Sequence, residues 1–487
     1  MATHPERFPL GGAPAAPASN APAWLIAVMA AMGLMTVEGL WSETLRNSLP
    51  VRGLRTFRSA LDRFLQPLLA SSWAARLAPA FAVLSVCLLL LASPYVGTGL
   101  NALLVLLAFA AFSFKALTHP PLDRDHTALD LPFLAMVALT LMAAAFSPYL
   151  VLSVKGLSKL VIFWMAYYAF RGVLARKEAW TPVLAALLLA ALVQSVYGVY
   201  QWTIDVPPLA LWDDAESELQ LTRVYGTLRN PNLLGGYLIP ILPLAAAAVV
   251  AFRNWALRAL GLATLLAGSA CLYFTYSRGA WLAFAAEIAV FGLAGLAWVW
   301  PHIKRDWRLK LALGVVLVVG LGAAAYVVMD SPALQQRLTS MFATRDHSSN
   351  SFRMNVWLGV IAMIKDSWWA GVGIGNETFQ KVYGLYMISG FEALGAYNIF
   401  LEVAVETGIF GLVAFLWVLL AFLARSTFHA LRGEARPWAV AAIAGLLGLM
   451  VHGLVDTVFY RPSIQILFWF LLAMIIRLPV AAQGERA

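Results

Sequence analysis

Six arginines stand where a membrane protein would be expected to avoid them. Arg223 and Arg229 flank RVYGTLRNPNLLGGY, Arg278 sits in TYSRGAW, Arg345 and Arg353 bracket RDHSSNSFR, and Arg461 follows VDTVFY. Guanidinium groups gathered at one surface hold a diphosphate or carboxylate through bidentate, charge-assisted hydrogen bonds, which suits an anionic substrate. The alternative is that they pair with Asp205, Asp213, Asp214, Glu216, Glu218, Asp346 and Asp456 in the same segments, or with lipid phosphates. Arg278 is the sharpest case, because Ser277, Arg278 and Gly279 form a turn between two apolar runs that is too short to solvate the side chain freely.

Other polar groups could complete a site. Glu402 and Glu406 are four apart, hence on one helix face, as a general base or as a structural salt-bridge pair. His452 and Asp456 share that spacing and could orient one another, but two ligands do not make a metal site, so neither a metal nor another cofactor is expected. Asn230 and Asn232 open an apolar run around Pro231, where helix-terminal amides receive an anion or an ordinary cap is formed. Glu287, about eight residues into its run, is a proton or ion ligand in one reading and a buried neutral or paired carboxyl in the other.

The elements that must position these groups are transmembrane helices. Of 487 residues, 61% are hydrophobic and 12% charged, and the mean hydropathy is +0.77; a typical soluble domain has roughly 25% charged residues. Apolar runs near the roughly 20 residues that cross a bilayer recur along the chain. They fall near 77–95, 98–114, 131–147, 159–175, 181–201, 232–252, 259–277, 279–300, 311–329, 399–424, 438–456 and 463–478. The expectation is an all-α polytopic protein of about twelve spans in a domain from 77 to 478, with a cytoplasmic tail at 479–487.

Orientation follows from the basic loops, which carry Arg171, Arg176 and Lys177; Arg253 and Arg258; Lys304, Arg305, Arg308 and Lys310; and Arg425, Arg432 and Arg436. Placing them in the cytoplasm of a bacterial inner membrane puts the long loops 202–231 and 330–398, and with them all six arginines, on the outer side. A basic residue at the bilayer centre costs about 3 kcal/mol or more, so arginines on that side need a reason other than anchoring.

Residues 1–22 read as a disordered tail and 23–76 as an N-terminal apolar segment followed by an amphipathic helix. Arg46, Arg52, Arg55, Arg58 and Arg63 alternate there with leucines and phenylalanines, a pattern for anionic headgroups or for a solvated linker. The run at 24–41 is short and includes Glu38, leaving both a spanning and a non-spanning arrangement open. The net charge of +9 is spread over short loops, which marks topology and not nucleic-acid binding. Cys87 and Cys271 sit inside apolar runs and offer no disulfide framework. There is no phosphate-binding glycine loop, zinc signature or evident inverted repeat.

Taken in order, VYGTLRNPNLLGGYL (224–238), FTYSRGAWLA (274–283), RDHSSNSFRMNVW (345–357), GVGIGNETFQKVYGLYM (371–387), AYNIFLEVAVETGIFG (396–411) and HGLVDTVFYRP (452–462) resemble the O-antigen ligase and polymerase superfamily. Within it they most resemble the inorganic-carbon (bicarbonate) transporter family of photosynthetic bacteria. The resemblance implies a glycosyltransferase-type (GT-C-like) membrane fold that moves a glycan from a lipid diphosphate carrier at the outer face. It further implies arginines on the diphosphate and a loop histidine beside an asparagine as base. Here that pair reads Tyr397 and Asn398, so the histidine is missing; Glu402, Glu406 or His347 could accept the proton instead. Three functions follow: transfer from a polyprenyl-diphosphate-linked glycan, carriage of bicarbonate or another small anion, and non-catalytic lipid binding or assembly. Membrane lipids are partners in each.

Overall fold

The structure, a computed structural model, describes residues 72–119, 129–209, 222–303, 349–433 and 435–486, with a few isolated positions elsewhere. Arg345, His347, the run at 24–41, and most of the amphipathic segment and of the expected span 311–329 lie outside the described residues.

Apolar composition forces helices here, because a backbone in hydrocarbon must satisfy its own hydrogen bonds. In chain order these are α1 (Trp73–Ala92), α2 (Thr98–Thr118), α3 (Asp130–Ala145), α4 (Leu150–Val173), α5 (Lys177–Thr203), α6 (Pro231–Leu238), α7 (Leu242–Ala251), α8 (Trp255–Phe274) and α9 (Arg278–Ile303). They continue with α10 (Ser349–Asp366), α11 (Asn376–Tyr383), α12 (Ile399–Arg432), α13 (Arg436–Gly453), α14 (Pro462–Ile476) and α15 (Leu478–Arg486). Nine helical segments of the described residues, counting α6 and α7 as one, are long and apolar enough to cross a membrane; α3 and α14 are shorter apolar helices. Together they match every expected span except 311–329. The chain is a multi-pass membrane protein.

Among the nine long segments, α6–α7 and α13 are the most enclosed, 83% and 72% buried over their apolar windows. In α14, Ile464 and the run from Ile466 to Ile476 are buried. A helix that is apolar all round is expected at the centre of a bundle, and the remaining helices surround this core. At the end of the bundle away from Arg223, Arg278, Arg353 and Arg461, Arg171 is not the headgroup anchor expected from its basic loop. It is buried and ion-paired with Asp130 on α3, and Arg477 donates to its backbone carbonyl at 2.9 Å. Removing one partner of such a pair leaves an uncompensated charge, so the contact fixes how α3, α4 and the end of α14 meet.

Two of the described spans are broken. Pro240 and Pro243 lack the amides that would continue a helix, and the chain turns at 239–241 between α6 and α7. In α12 the break is at Gly408, whose φ of 71° and ψ of −177° lie outside the helical region. The carbonyls freed there are taken by a non-helical segment: Val372 donates to the Val405 oxygen (2.8 Å), Gly373 to that of Glu406 (3.1 Å), and Ile409 donates to the Trp368 oxygen (2.8 Å). Ser153 Oγ accepts from the Ile374 amide at 2.7 Å, and Ser147 Oγ donates to the Val372 oxygen at 2.8 Å. Irregular backbone is tolerated at this depth because its polar groups are paired.

Gly371 has φ of +73°, and a Cβ there would come within 2.4 Å of the Glu406 oxygen. Gly371→Ala is expected to cost about 1–3 kcal/mol through strain at that dihedral, with the clash adding to it. Gly97→Ala, where nothing lies within 4 Å, should be close to neutral. Thermal unfolding of both variants in detergent checks the contrast; equal midpoints would show that the segment does not lock the α12 break.

Candidate functional site

One cavity of about 750 Å³ lies at the bundle end where the α1–α2, α3–α4, α5–α6, α8–α9 and α13–α14 connections meet the start of α12. Its polar wall carries Arg223, Arg278, Arg353, Arg461, Lys159, Asn232, Asp456, Glu402 and Glu406; deeper it is lined by Phe163, Trp164, Phe415, Phe468 and Trp469. Among the described residues, none from the opposite ends of the helices contributes to it.

A chain of contacts joins five separate segments. Arg223 is buried; its Nε donates to the Thr275 carbonyl at 3.0 Å and its Nη2 to Asn232 Oδ1 at 3.2 Å. Asn232 Nδ2 donates to Asp456 Oδ2 at 2.6 Å. The same carboxylate oxygen lies 3.8 Å from Arg353 Nη2, while Asp456 Oδ1 accepts from the Thr457 amide at 2.7 Å. Asp456 thus sets the spacing of two guanidiniums that would otherwise repel.

The α12 entry supplies the carboxylates. Asn398 caps the helix, its Oδ1 accepting from the amides of Phe400 (2.9 Å) and Leu401 (3.1 Å) while its Nδ2 donates to the Leu454 carbonyl (3.0 Å). One turn in, Glu402 Oε2 accepts from the Ala396 amide at 2.6 Å, and a turn later Glu406 Oε1 accepts from the Gly375 amide at 2.8 Å. Both carboxylates are oriented by backbone and both line the cavity.

Tyr397, just before α12, also lines the cavity in a left-handed conformation with φ of 51°. Burial raises its pKa above the ordinary 10 and the Asp456 charge raises it further, against the opposing pull of Arg353. A phenol held in this way is a hydrogen-bond donor and not a base at neutral pH.

Of the remaining expected residues, Asn230 also lines the cavity, whereas Arg229, His452 and Glu287 do not. Arg229 is exposed and outside the cavity wall. The side chain of Asn230 caps α6, accepting from the amides of Asn232 (2.9 Å) and Leu233 (3.3 Å), so the helix terminus is occupied by its own cap. His452 is buried behind the wall: a Cβ on Gly236 would lie 3.2 Å from its Nδ1, and one on Gly279 2.8 Å from its Cδ2. Glu287 is buried away from the cavity beside Gly448 of α13, where a Cβ would lie 2.5 Å from its Oε1.

Lys159 was not among the expected site residues. Its α4 begins at Leu150, nine residues before the expected span, which puts Lys155 and Lys159 one turn apart on a helix at the arginine-rich end. Both contact Glu377 of α11, at 2.8 and 3.7 Å. The expected orientation, which puts the arginines on the outer side, puts these lysines there too and would have found them.

The contact chain makes a specific energetic claim. Asp456→Ala and Arg353→Met should each destabilise the protein, and the double variant should lose less than their sum, with a coupling of about 0.5–3 kcal/mol. Unfolding in detergent across the double-mutant cycle measures it; additivity within error would mean that the two groups do not hold one another.

Residues 262–416 match the profile of the family described as O-antigen ligase. The matched stretch includes Arg278, Arg353, Tyr397, Asn398, Glu402 and Glu406, while Arg223, Asn232, Asp456 and Arg461 reach the same cavity from outside it. No curated protein matches the chain. The family match supports the ligase and polymerase side of the sequence resemblance and lends nothing to its transporter side; from α8 through the first half of α12 this chain is similar to O-antigen ligases.

Proposed function

We propose that this protein transfers a glycan from a polyprenyl diphosphate carrier to an acceptor hydroxyl at the outer face of a bacterial inner membrane. The observation that carries the reading is the convergence of Arg223, Arg278, Arg353, Arg461 and Lys159 with Glu402 and Glu406 on one cavity whose inner part is aromatic. Its volume suits a diphosphate with its first sugar, and the aromatic part suits the start of an isoprenoid chain. Outer-face placement rests on the basic residues at the opposite helix ends, including Arg253, Arg258, Arg432 and Arg436.

In this reading the guanidiniums hold the diphosphate, and the acceptor hydroxyl attacks the anomeric carbon from the opposite face. The bond from that carbon to the acceptor oxygen forms, and the bond to the diphosphate oxygen breaks, the electron pair leaving with the diphosphate. The hydroxyl proton passes to the Glu402–Glu406 pair, and configuration inverts. Pre-positioned cations oppose the charge growing on the leaving group without reorganising, an effect worth several kcal/mol in a water-poor site. The carboxylate pair takes the place of the histidine that the resemblance implies at Tyr397.

A carrier of bicarbonate would need a polar path that also reaches the other side. The cavity wall ends in aromatic residues near mid-helix, which favours transfer.

Binding of a polyprenyl diphosphate to protein in nanodiscs, with labelled bicarbonate uptake measured in proteoliposomes from the same preparation, tests the reading. Arg353→Ala and Arg278→Ala should each weaken lipid binding about 10-fold or more, as expected for loss of a charge-assisted contact. No saturable uptake is expected, whereas uptake without lipid binding would overturn the proposal. Because burial holds the Tyr397 phenol above its ordinary range, replacing it with Phe should leave the pH profile of turnover unchanged near neutrality. A profile that loses its basic limb in that variant would instead make the phenol the base.

A further inference from the structure

Helix α10 lies within the expected outer loop 330–398, where its exposed surface should be polar. One of its faces is accounted for: Val356, Val360 and Met363 are fully buried in a small apolar cluster with Phe379, Tyr383 and Val405, and Arg353 on the adjoining edge lines the cavity. The opposite face presents Met354, Leu358 and Ile361, exposed by 50%, 60% and 41%. The spacing continues to Lys365, so residues 354, 358, 361 and 365 form a helical stripe that is apolar except for one lysine and leads to Trp368 in the turn just after α10.

This stripe runs into a surface that faces lipid. The Trp368 ring lies 6.1 Å from that of Phe410, and Trp369 lies 5.2 Å from Phe146. Phe410, Val413, Trp417 and Leu420 are exposed and line one face of α12 beyond its break. From Ile409 to Arg432 that helix is about 36 Å long, close to one bilayer, so the break and the two tryptophans fall at one membrane boundary. Tryptophan is favoured at that level, and a lysine on an apolar stem reaches headgroups from just below it.

We propose that α10 is seated in the bilayer surface, with Met354, Leu358 and Ile361 among acyl chains and Lys365 and Trp368 at the headgroups. The occupant of this face is the lipid of the surrounding leaflet. The bilayer therefore holds the helix that carries Arg353 into the cavity, and the proposal stands whether or not the cavity performs glycan transfer.

The test places a nitroxide on single cysteines at 354, 358 and 361, and at the exposed Lys381 of α11, after Cys87 and Cys271 are replaced by alanine. In nanodiscs of phosphatidylethanolamine and phosphatidylglycerol, the first three sites should collide readily with oxygen. Their collisions with a water-soluble nickel chelate should be several-fold fewer than at 381. Nickel access equal to that at 381 would put the stripe in water. Exclusion of both reagents would show it covered by protein, through residues 311–329 or a second copy, and either result overturns the proposal. Unlabelled wild-type protein in nanodiscs carrying a diazirine phospholipid gives an independent reading: the peptide spanning 354–361 should carry lipid adducts, and their absence alongside adducts on the 410–420 peptide would count equally against it.

Discussion

A single carboxylate keeps the candidate site together. Arg223, Arg278, Arg353, Arg461 and Lys159 share one cavity, and cations at such separations repel most strongly where water is scarce. Asp456 stands 3.8 Å from one of them, Arg353, and accepts from Asn232 at 2.6 Å. Through Asn232 its influence reaches Arg223, so α6, the α13–α14 connection, α10 and the segment before α6 are tied at one point. The same economy operates at the other end of the bundle, where Asp130 pairs with the buried Arg171. In both places charge in an apolar body persists because it has a partner.

The α12 break determines where the carboxylates go. A continuous 34-residue helix would be about 51 Å long, well beyond a bilayer of about 30 Å. Breaking at Gly408 lets the first turns, with Glu402 and Glu406, leave the direction of the span. The segment at 368–375 then satisfies the exposed carbonyls, and its Gly375 amide holds Glu406. Backbone geometry, local hydrogen bonding and the orientation of candidate catalytic groups are therefore one problem with one solution.

Hydropathy made the spans legible because crossing a bilayer imposes length and composition directly on the sequence; each expected span within the described residues has a helical counterpart. The arginines stood out because charge is rare beside apolar spans and is costly within them. Less was legible where a tertiary partner decides the outcome. Arg171 reads as a loop anchor until Asp130, 41 residues away, is seen beside it. Arg229 has the same credentials as Arg223, yet Arg223 is drawn inward by Thr275 and Asn232 while Arg229 remains exposed. His452 and Asp456 share a helical spacing, but the chain leaves the helix after Gly453, so only Asp456 reaches the cavity. Lys159 was hidden by a span boundary drawn nine residues late, because polar residues at a helix end resemble a loop.

The most direct measurement is turnover. Purified protein in nanodiscs would be given a polyprenyl diphosphate bearing a labelled oligosaccharide together with candidate acceptors, and release of free polyprenyl diphosphate would be followed over time. Acceptor-dependent release that is retained in Tyr397→Phe and lost in Glu402→Gln, while Glu402→Gln still binds the lipid, is the predicted result. Release that is unchanged in Glu402→Gln and in Glu406→Gln would contradict the assignment of base catalysis to this carboxylate pair.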